Sequence, residues 1–137
     1  MMTLQEAIKA AILLDEGKLL KPKFRKEWKE SNYQRGYCYL VSEVLYHFVP
    51  QFKDFTPRIM HISPDETHWF KKKKKTGEIA DYTSAQYQFM LEYTLSTKKA
   101  FLNGSVKTSR GYASKKSVKL YNFIRKNELW TQLESTH

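Results

Sequence analysis

Leu40, Val41, Val44, Leu45 and Phe48 recur at the i, i+3, i+4 spacing that lines one face of an α-helix. A stripe this dense has to be covered by other apolar groups, so the segment that begins at Cys38 is expected to be a central, mostly buried helix around which the remaining chain packs. Pro50 ends it, because proline lacks the amide proton and its ring clashes with the preceding turn. With 137 residues in all, the chain can build one hydrophobic core, and a single domain over residues 1–137 is expected. Its hydrophobic fraction of 41% and aromatic fraction of 15% supply the apolar surface that offsets ordering entropy, which excludes a disordered tail.

The elements around the central helix announce themselves locally. Thr3-Leu4-Gln5-Glu6 has the form of a capping box, and Leu4, Ile8, Ala11 and Ile12 continue at helical spacing towards Gly17. Residues 18–31 are charged and broken by Pro22, with Phe24 and Trp28 four apart as packing anchors of a connector. Residues 32–36 read as a loop. Arg58-Ile59-Met60-His61-Ile62 is strand-like, and Ser63-Pro64-Asp65-Glu66 has turn chemistry. Residues 68–71 and 78–81 read as two strands joined near Thr76-Gly77. Residues 84–93 are helical or irregular, and Asn103-Gly104 marks a turn. Ser114 or Ser117 can cap a last helix that turns Val118, Tyr121 and Ile124 inward. The expected fold is α+β: a helix bearing the cysteine, packed on a small antiparallel sheet, with helices at both termini flanking it.

The formal charge of +10 draws polyanions to such a surface. The lysine run 71–75 reads as the solvated tip of the hairpin, since like charges repel and stay wet. No apolar run reaches the roughly 18 to 20 residues that span a bilayer, and Glu6, Lys9, Asp15, Glu16 and Lys18 interrupt the first twenty positions. Neither an export signal nor a membrane anchor is expected there. The lone Cys38 excludes an internal disulfide framework and a cysteine-based zinc cage, which suits a reducing, cytoplasmic setting.

Placed at a helix start directly after Gly36-Tyr37, Cys38 sits where unpaired N–H groups and the helix dipole favour a thiolate and can hold an oxyanion. By itself it reads better as a small buried hydrophobe beside Tyr37, Tyr39 and Leu40. A base and an orienting acid are therefore decisive. His68 opens the proposed hairpin and Asp81 closes it; for any even-length loop, opposed residues have numbers summing to an odd value, as these two do, so they share one face of the ribbon. A turn at residues 75–78 sets Asp81 opposite Lys72, and shifting that turn brings it nearer His68. A carboxylate there would fix the imidazole tautomer and stabilise the imidazolium. His47 lies too far along the helix from Cys38 to act, while His61 on the preceding strand competes as base. A metal site from His61, His68 and Asp81 lacks the tight helical ligand spacing of catalytic zinc, so neither metal nor other cofactor is expected. Asn32 and Gln34 can lend side-chain amides to an oxyanion hole completed by the Cys38 N–H. Glu43, on an otherwise apolar helix, is expected to pair with a basic residue or turn outward.

A Gly-x-Cys helix start, then His68-Trp69, then Gly77 and Asp81-Tyr82-Thr83 resembles the core of the papain-like and transglutaminase-like cysteine superfamily. The resemblance implies that the thiol opens a helix packed on an antiparallel sheet, with His and Asp on neighbouring strands. Gln34 lies closer to the thiol than in a papain-style Gln-Gly-x-Cys segment, and Tyr82 stands where transglutaminase-like proteins often carry proline. More narrowly, Arg35-Gly36-Tyr37-Cys38-Tyr39 with Ser42-Glu43, His68-Trp69-Phe70, and Asp81-Tyr82-Thr83 with Gln86-Tyr87 are similar to small bacterial and bacteriophage proteins, which would place the chain in a bacterial host cell.

Two functions follow as expectations. One is a cysteine hydrolase or acyl transferase in which His68 activates Cys38 against an amide, ester or isopeptide carbonyl and Asp81 orients His68. The other is a non-catalytic basic module for nucleic acid or an acidic protein, using Lys107, Arg110, Lys115, Lys116, Lys119, Arg125 and Lys126 with the aromatics Tyr112, Tyr121 or Trp130. The first fails without the thiol; the second tolerates its loss and weakens steeply with salt.

Overall fold

Thr3 starts the first helix, α1 (Leu4–Asp15), by the reciprocal bonds its sequence suggests: its hydroxyl accepts from the Glu6 N–H and its own N–H donates to the Glu6 carboxylate, both at 3.1 Å. The structure, a computed structural model, describes residues 3–22, 36–64, 66–87, 89–102 and 104–126. Glu16 and Gly17 turn the chain away from α1 with positive φ of 53° and 78°. Asp15, buried at that end, accepts from the Tyr37 hydroxyl at 2.6 Å and from the Leu19 N–H at 2.9 Å, while the same hydroxyl accepts from the Gly17 N–H at 2.8 Å. Tyr37 is the residue before Cys38, so these bonds fasten the end of α1 to the start of the central helix.

That helix, α2 (Cys38–Phe48), buries Leu40, Val41, Val44 and Leu45, and ends at Val49 before a 3-10 turn at Pro50–Phe52. The last helix, α3 (Lys115–Arg125), is capped by Ser114, whose hydroxyl accepts from the Ser117 N–H at 3.1 Å. Ile8 and Ile12 of α1, Val44 and Leu45 of α2, and Leu120 and Ile124 of α3 meet in the main core. The inward stripe of α3 is Ser117, Leu120 and Ile124 rather than the expected Val118, Tyr121 and Ile124. Tyr121 instead stacks on Phe48 at 4.3 Å between ring centroids, half-buried, because α3 rotates to seat Leu120 between the other two helices.

A four-stranded antiparallel sheet lies against α2, in the order β3-β2-β1-β4, from β1 (Phe55–Ser63), β2 (Glu66–Lys73), β3 (Ile79–Ala80) and β4 (Thr97–Lys98). The ring of Tyr39 on α2 meets Trp69 on β2 edge-on at 4.9 Å. The protein is thus α+β, with the cysteine-bearing helix on a small antiparallel sheet and helices on either side of it in sequence. A second hairpin, β5 (Val106–Thr108) with β6 (Gly111–Ala113), leads into α3. Among the described residues no helix is long and apolar enough to cross a membrane.

The β2–β3 hairpin closes through a four-residue loop, residues 74–77: the Lys73 N–H donates to the Glu78 carbonyl at 2.8 Å and the Gly77 N–H to the Lys73 carbonyl at 2.9 Å. Gly77 has a φ of 77°, the left-handed region where only glycine is at ease. Lys72 then faces Ile79 and Lys71 faces Ala80, a register that carries Asp81 past Lys72 to the level of Phe70, two residues from His68 on the same face. Close packing also decides Gly104, where a Cβ would clash with the carbonyl carbon and oxygen of Ala113. Gly104→Ala is expected to destabilise the fold by about 1–3 kcal/mol, read as a lowered urea midpoint with an unchanged m-value.

Candidate active site

Gly36, with φ of 89°, brings the chain into α2, and Cys38 is the first residue of that helix. The tyrosine before it supplies no side-chain cap. The N–H groups of the first turn therefore point towards the thiol end of the helix without a capping oxygen from Tyr37. Cys38 is buried but borders a cleft of about 480 Å3, whose walls include Gly36, Tyr39, Thr67, Trp69 and Gln86.

His68 is wholly enclosed, with the Tyr87 ring edge-on at 5.1 Å. Its Nε2 lies 2.7 Å from Asp81 Oδ2. A carboxylate only accepts, so Nε2 carries the proton and Nδ1 is the nitrogen left for other work. Asp81 is held on both oxygens: Oδ2 also accepts from the Tyr93 hydroxyl at 2.8 Å, and Oδ1 accepts from the Thr83 N–H at 3.2 Å and hydroxyl at 3.4 Å. Burial, the charge of Asp81 and the bond to it all raise the Tyr93 pKa, so the phenol stays a donor. Burial opposes a proton on His68, but the bond to Asp81, the charge of that carboxylate and the nearby Cys38 sulfur outweigh it, and its pKa is pushed up to about 9. The ring is therefore an imidazolium at neutral pH. Nδ1 has no hydrogen-bond partner among the described residues, which leaves it open to a group arriving from the Cys38 side. Catalytic contacts commonly tighten only when substrate binds.

The other histidines stand apart. Met60 pairs with His68 across β1 and β2, so its neighbour His61 projects from the opposite face and is exposed. His47 shares a hydrogen bond of 3.0 Å with Thr108 Oγ1. Among the described residues no group of three or more His, Cys, Asp or Glu side chains is placed to hold a metal. Asn32, Gln34 and Trp130 lie outside the described residues. Glu43 neither pairs with a base nor turns outward: it is fully buried, and its carboxylate accepts from the Ser114 hydroxyl at 2.6 Å and N–H at 3.2 Å.

Two expectations about the basic residues change. Lys107, Lys115, Lys116, Lys119, Arg125 and Lys126 are exposed, whereas Arg110 is half-buried against the Tyr46 ring. Within the lysine run, Lys71 is not solvated at all but has no exposed surface, because it lies on a paired part of β2 rather than at the hairpin tip. Thr83 was legible as the second residue after Asp81, the spacing at which an aspartate bonds the backbone ahead of it. Tyr93 left no local signal, being delivered by an irregular segment that ends in a 3-10 turn.

No protein-family model matches the chain, and comparison with curated proteins and with solved structures gave no significant match. What can be said of function therefore rests on these residues and their geometry.

Proposed function

We propose that the protein is a cysteine-dependent hydrolase or acyl transferase, with Cys38 as nucleophile, His68 as acid and base, and Asp81 as the group that orients His68. The observation that carries this reading is one imidazole held by Asp81 at 2.7 Å through Nε2, its Nδ1 without a hydrogen-bond partner among the described residues, on the strand against which the helix opened by Cys38 packs. A cationic His68 beside the sulfur would stabilise negative charge there, and a thiolate beside an imidazolium is the reacting form of the pair.

Sγ attacks the carbonyl carbon of an amide, ester or isopeptide, and the C=O electron pair moves onto oxygen, where the Cys38 backbone N–H can stabilise it. Collapse breaks the bond to the leaving amine or alcohol, which takes the proton from His68, and a thioester remains on Cys38. The now neutral His68 removes a proton from water or an acceptor amine; attack on the thioester releases the product acid or amide and returns the thiolate. The free thiol that this chemistry needs is best kept in a reducing compartment.

The test is the pH dependence of Cys38 alkylation by iodoacetamide in the native protein, compared with His68→Ala. Cys38 is expected to react below about pH 8, where an ordinary thiol is mostly protonated, and to lose that low-pH reactivity in His68→Ala. Because His68 loses its proton near pH 9, the low-pH behaviour of the pair should give way to that of an independent thiol above it. A thiol that reacts only on unfolding would make Cys38 a core residue and leave the basic binding module as the function.

A further inference from the structure

Lys71 has no exposed surface, and its Nζ finds no hydrogen-bond acceptor among the described residues. It sits 4.3 Å from the centroid of the Tyr46 ring. Arg110 places its guanidinium carbon 4.3 Å from the centroid of that same ring and donates one N–H to the Lys53 carbonyl at 2.7 Å, so its charge is held in place. Tyr46 and Arg110 line a recess of about 530 Å3, and Lys53, Lys74, Lys98 and Lys99 stand on its walls without an Asp or Glu among the described lining residues.

One aromatic ring here serves two cations. The negative face of a ring attracts each of them, but it offers neither a full counter-charge nor a strong acceptor. The strain of the arrangement is visible in the groups themselves: burial, followed by the Arg110 charge, pushes the Lys71 amine down to about 7, and burial with the charges of Lys71 and Arg110 pushes His47 down as well. An amine kept charged and unpaired inside a protein is unfavourable, and what the cluster lacks is an anion.

We propose that this recess binds a dianionic phosphate group, with Arg110 and the lysines of its walls as donors and the Lys71 amine, held on the Tyr46 ring behind that wall, taking up a proton as the anion binds. So many donors exceed what the two oxygens of a carboxylate can use, whereas a terminal phosphate presents three oxygens and up to two charges. Lys99 and Leu102 line both this recess and the Cys38 cleft, so the two adjoin, with the recess towards the far end of α2 from the thiol. That the phosphate belongs to the acyl substrate rests on the thiol reading; the binding itself does not.

The experiment is calorimetric titration of inorganic phosphate into the full chain at fixed ionic strength, for wild type, Lys71→Met, Arg110→Gln and Cys38→Ser. Saturable binding of one phosphate is expected, weakened about tenfold or more in Lys71→Met and in Arg110→Gln and unchanged in Cys38→Ser. Methionine keeps the volume of Lys71, and Arg110→Gln alters a residue outside the main core, so at least one variant reports on a folded protein. Phenyl phosphate should displace inorganic phosphate and dimethyl phosphate should not, which separates a terminal phosphomonoester from the diester backbone of a polynucleotide. Absence of saturable binding, binding indifferent to both substitutions, or equal displacement by the diester would each overturn the proposal. Phosphate binding that persists while Cys38 proves inert would sink the acyl-transfer reading and leave the recess standing.

Discussion

Asp81→Asn is expected to slow native Cys38 alkylation at pH 7.5 about tenfold and to cost the fold on the order of 3 kcal/mol at pH 6.5. With Asp81 ionised, the pKa of His68 is about 9, and nearly every ring is an imidazolium at pH 7.5. Without that charge the ring tends towards its ordinary value near 6.5, where only about a tenth remains protonated at that pH. Asparagine also offers one acceptor oxygen in place of two, and its NH2 group must meet donors, whether the Thr83 N–H and hydroxyl or the His68 N–H and Tyr93 hydroxyl. The stability term has a definite sign. The folded-state pKa of His68 lies above its unfolded value, so its contribution is complete below about 6.5 and is lost as pH rises through about 9. Lys71 acts the other way, since its amine is held down to about 7 from 10.5, and its burial becomes less costly as pH rises over that range. The two slopes oppose each other. Urea unfolding at pH 6.5 and 9.5 in a Lys71→Met background isolates His68: stability should fall with pH when Asp81 is present and vary much less in Asp81→Asn. A wild-type-like slope in Asp81→Asn would mean that the carboxylate does not govern the imidazole.

Glu43→Ala is expected to destabilise the protein by about 3–5 kcal/mol. The carboxylate joins the middle of α2 to the N-cap of α3, taking both the N–H and the hydroxyl of Ser114. Truncation leaves those donors and a cavity in the helix interface at once, and Ser114 loses the partner that holds it as cap for Ser117. Glu43→Gln is the informative comparison. Burial raises the Glu43 pKa, although its bonds to Ser114 lower it in part, so the carboxyl is destabilised as it ionises with rising pH. Glutamine removes that ionisation and keeps one acceptor oxygen, and should cost about 1–2 kcal/mol at neutral pH. Thermal and urea unfolding measure both; an alanine variant no worse than the glutamine one would mean that Ser114 finds another acceptor.

The helices were legible because helical periodicity and capping are local. Thr3 and Glu6 lie three residues apart and identify the start of α1 by themselves; Pro50 identifies the end of α2. The hairpin was nearly so. Strand alternation assigned His68 and Asp81 to one face, but the register depended on which residues formed the loop, and Gly77 settled that by adopting a backbone conformation costly to other residues. Charge patterning misled at Lys71, because a run of five lysines has no internal mark for where pairing stops and the tip begins.

Sequence alone thus determined the α+β class, the position of Cys38 at a helix start, and the shared face of His68 and Asp81, all consequences of periods that operate over a few residues. Only the tertiary structure decided that Tyr93 clamps Asp81, that Asp15 grips Tyr37, that Glu43 serves Ser114, and that Lys71 shares the Tyr46 ring with Arg110. Each of those contacts joins residues well separated in the chain. Their formation depends on how helices and sheet dock, where close packing selects one arrangement from many that the local pattern allows.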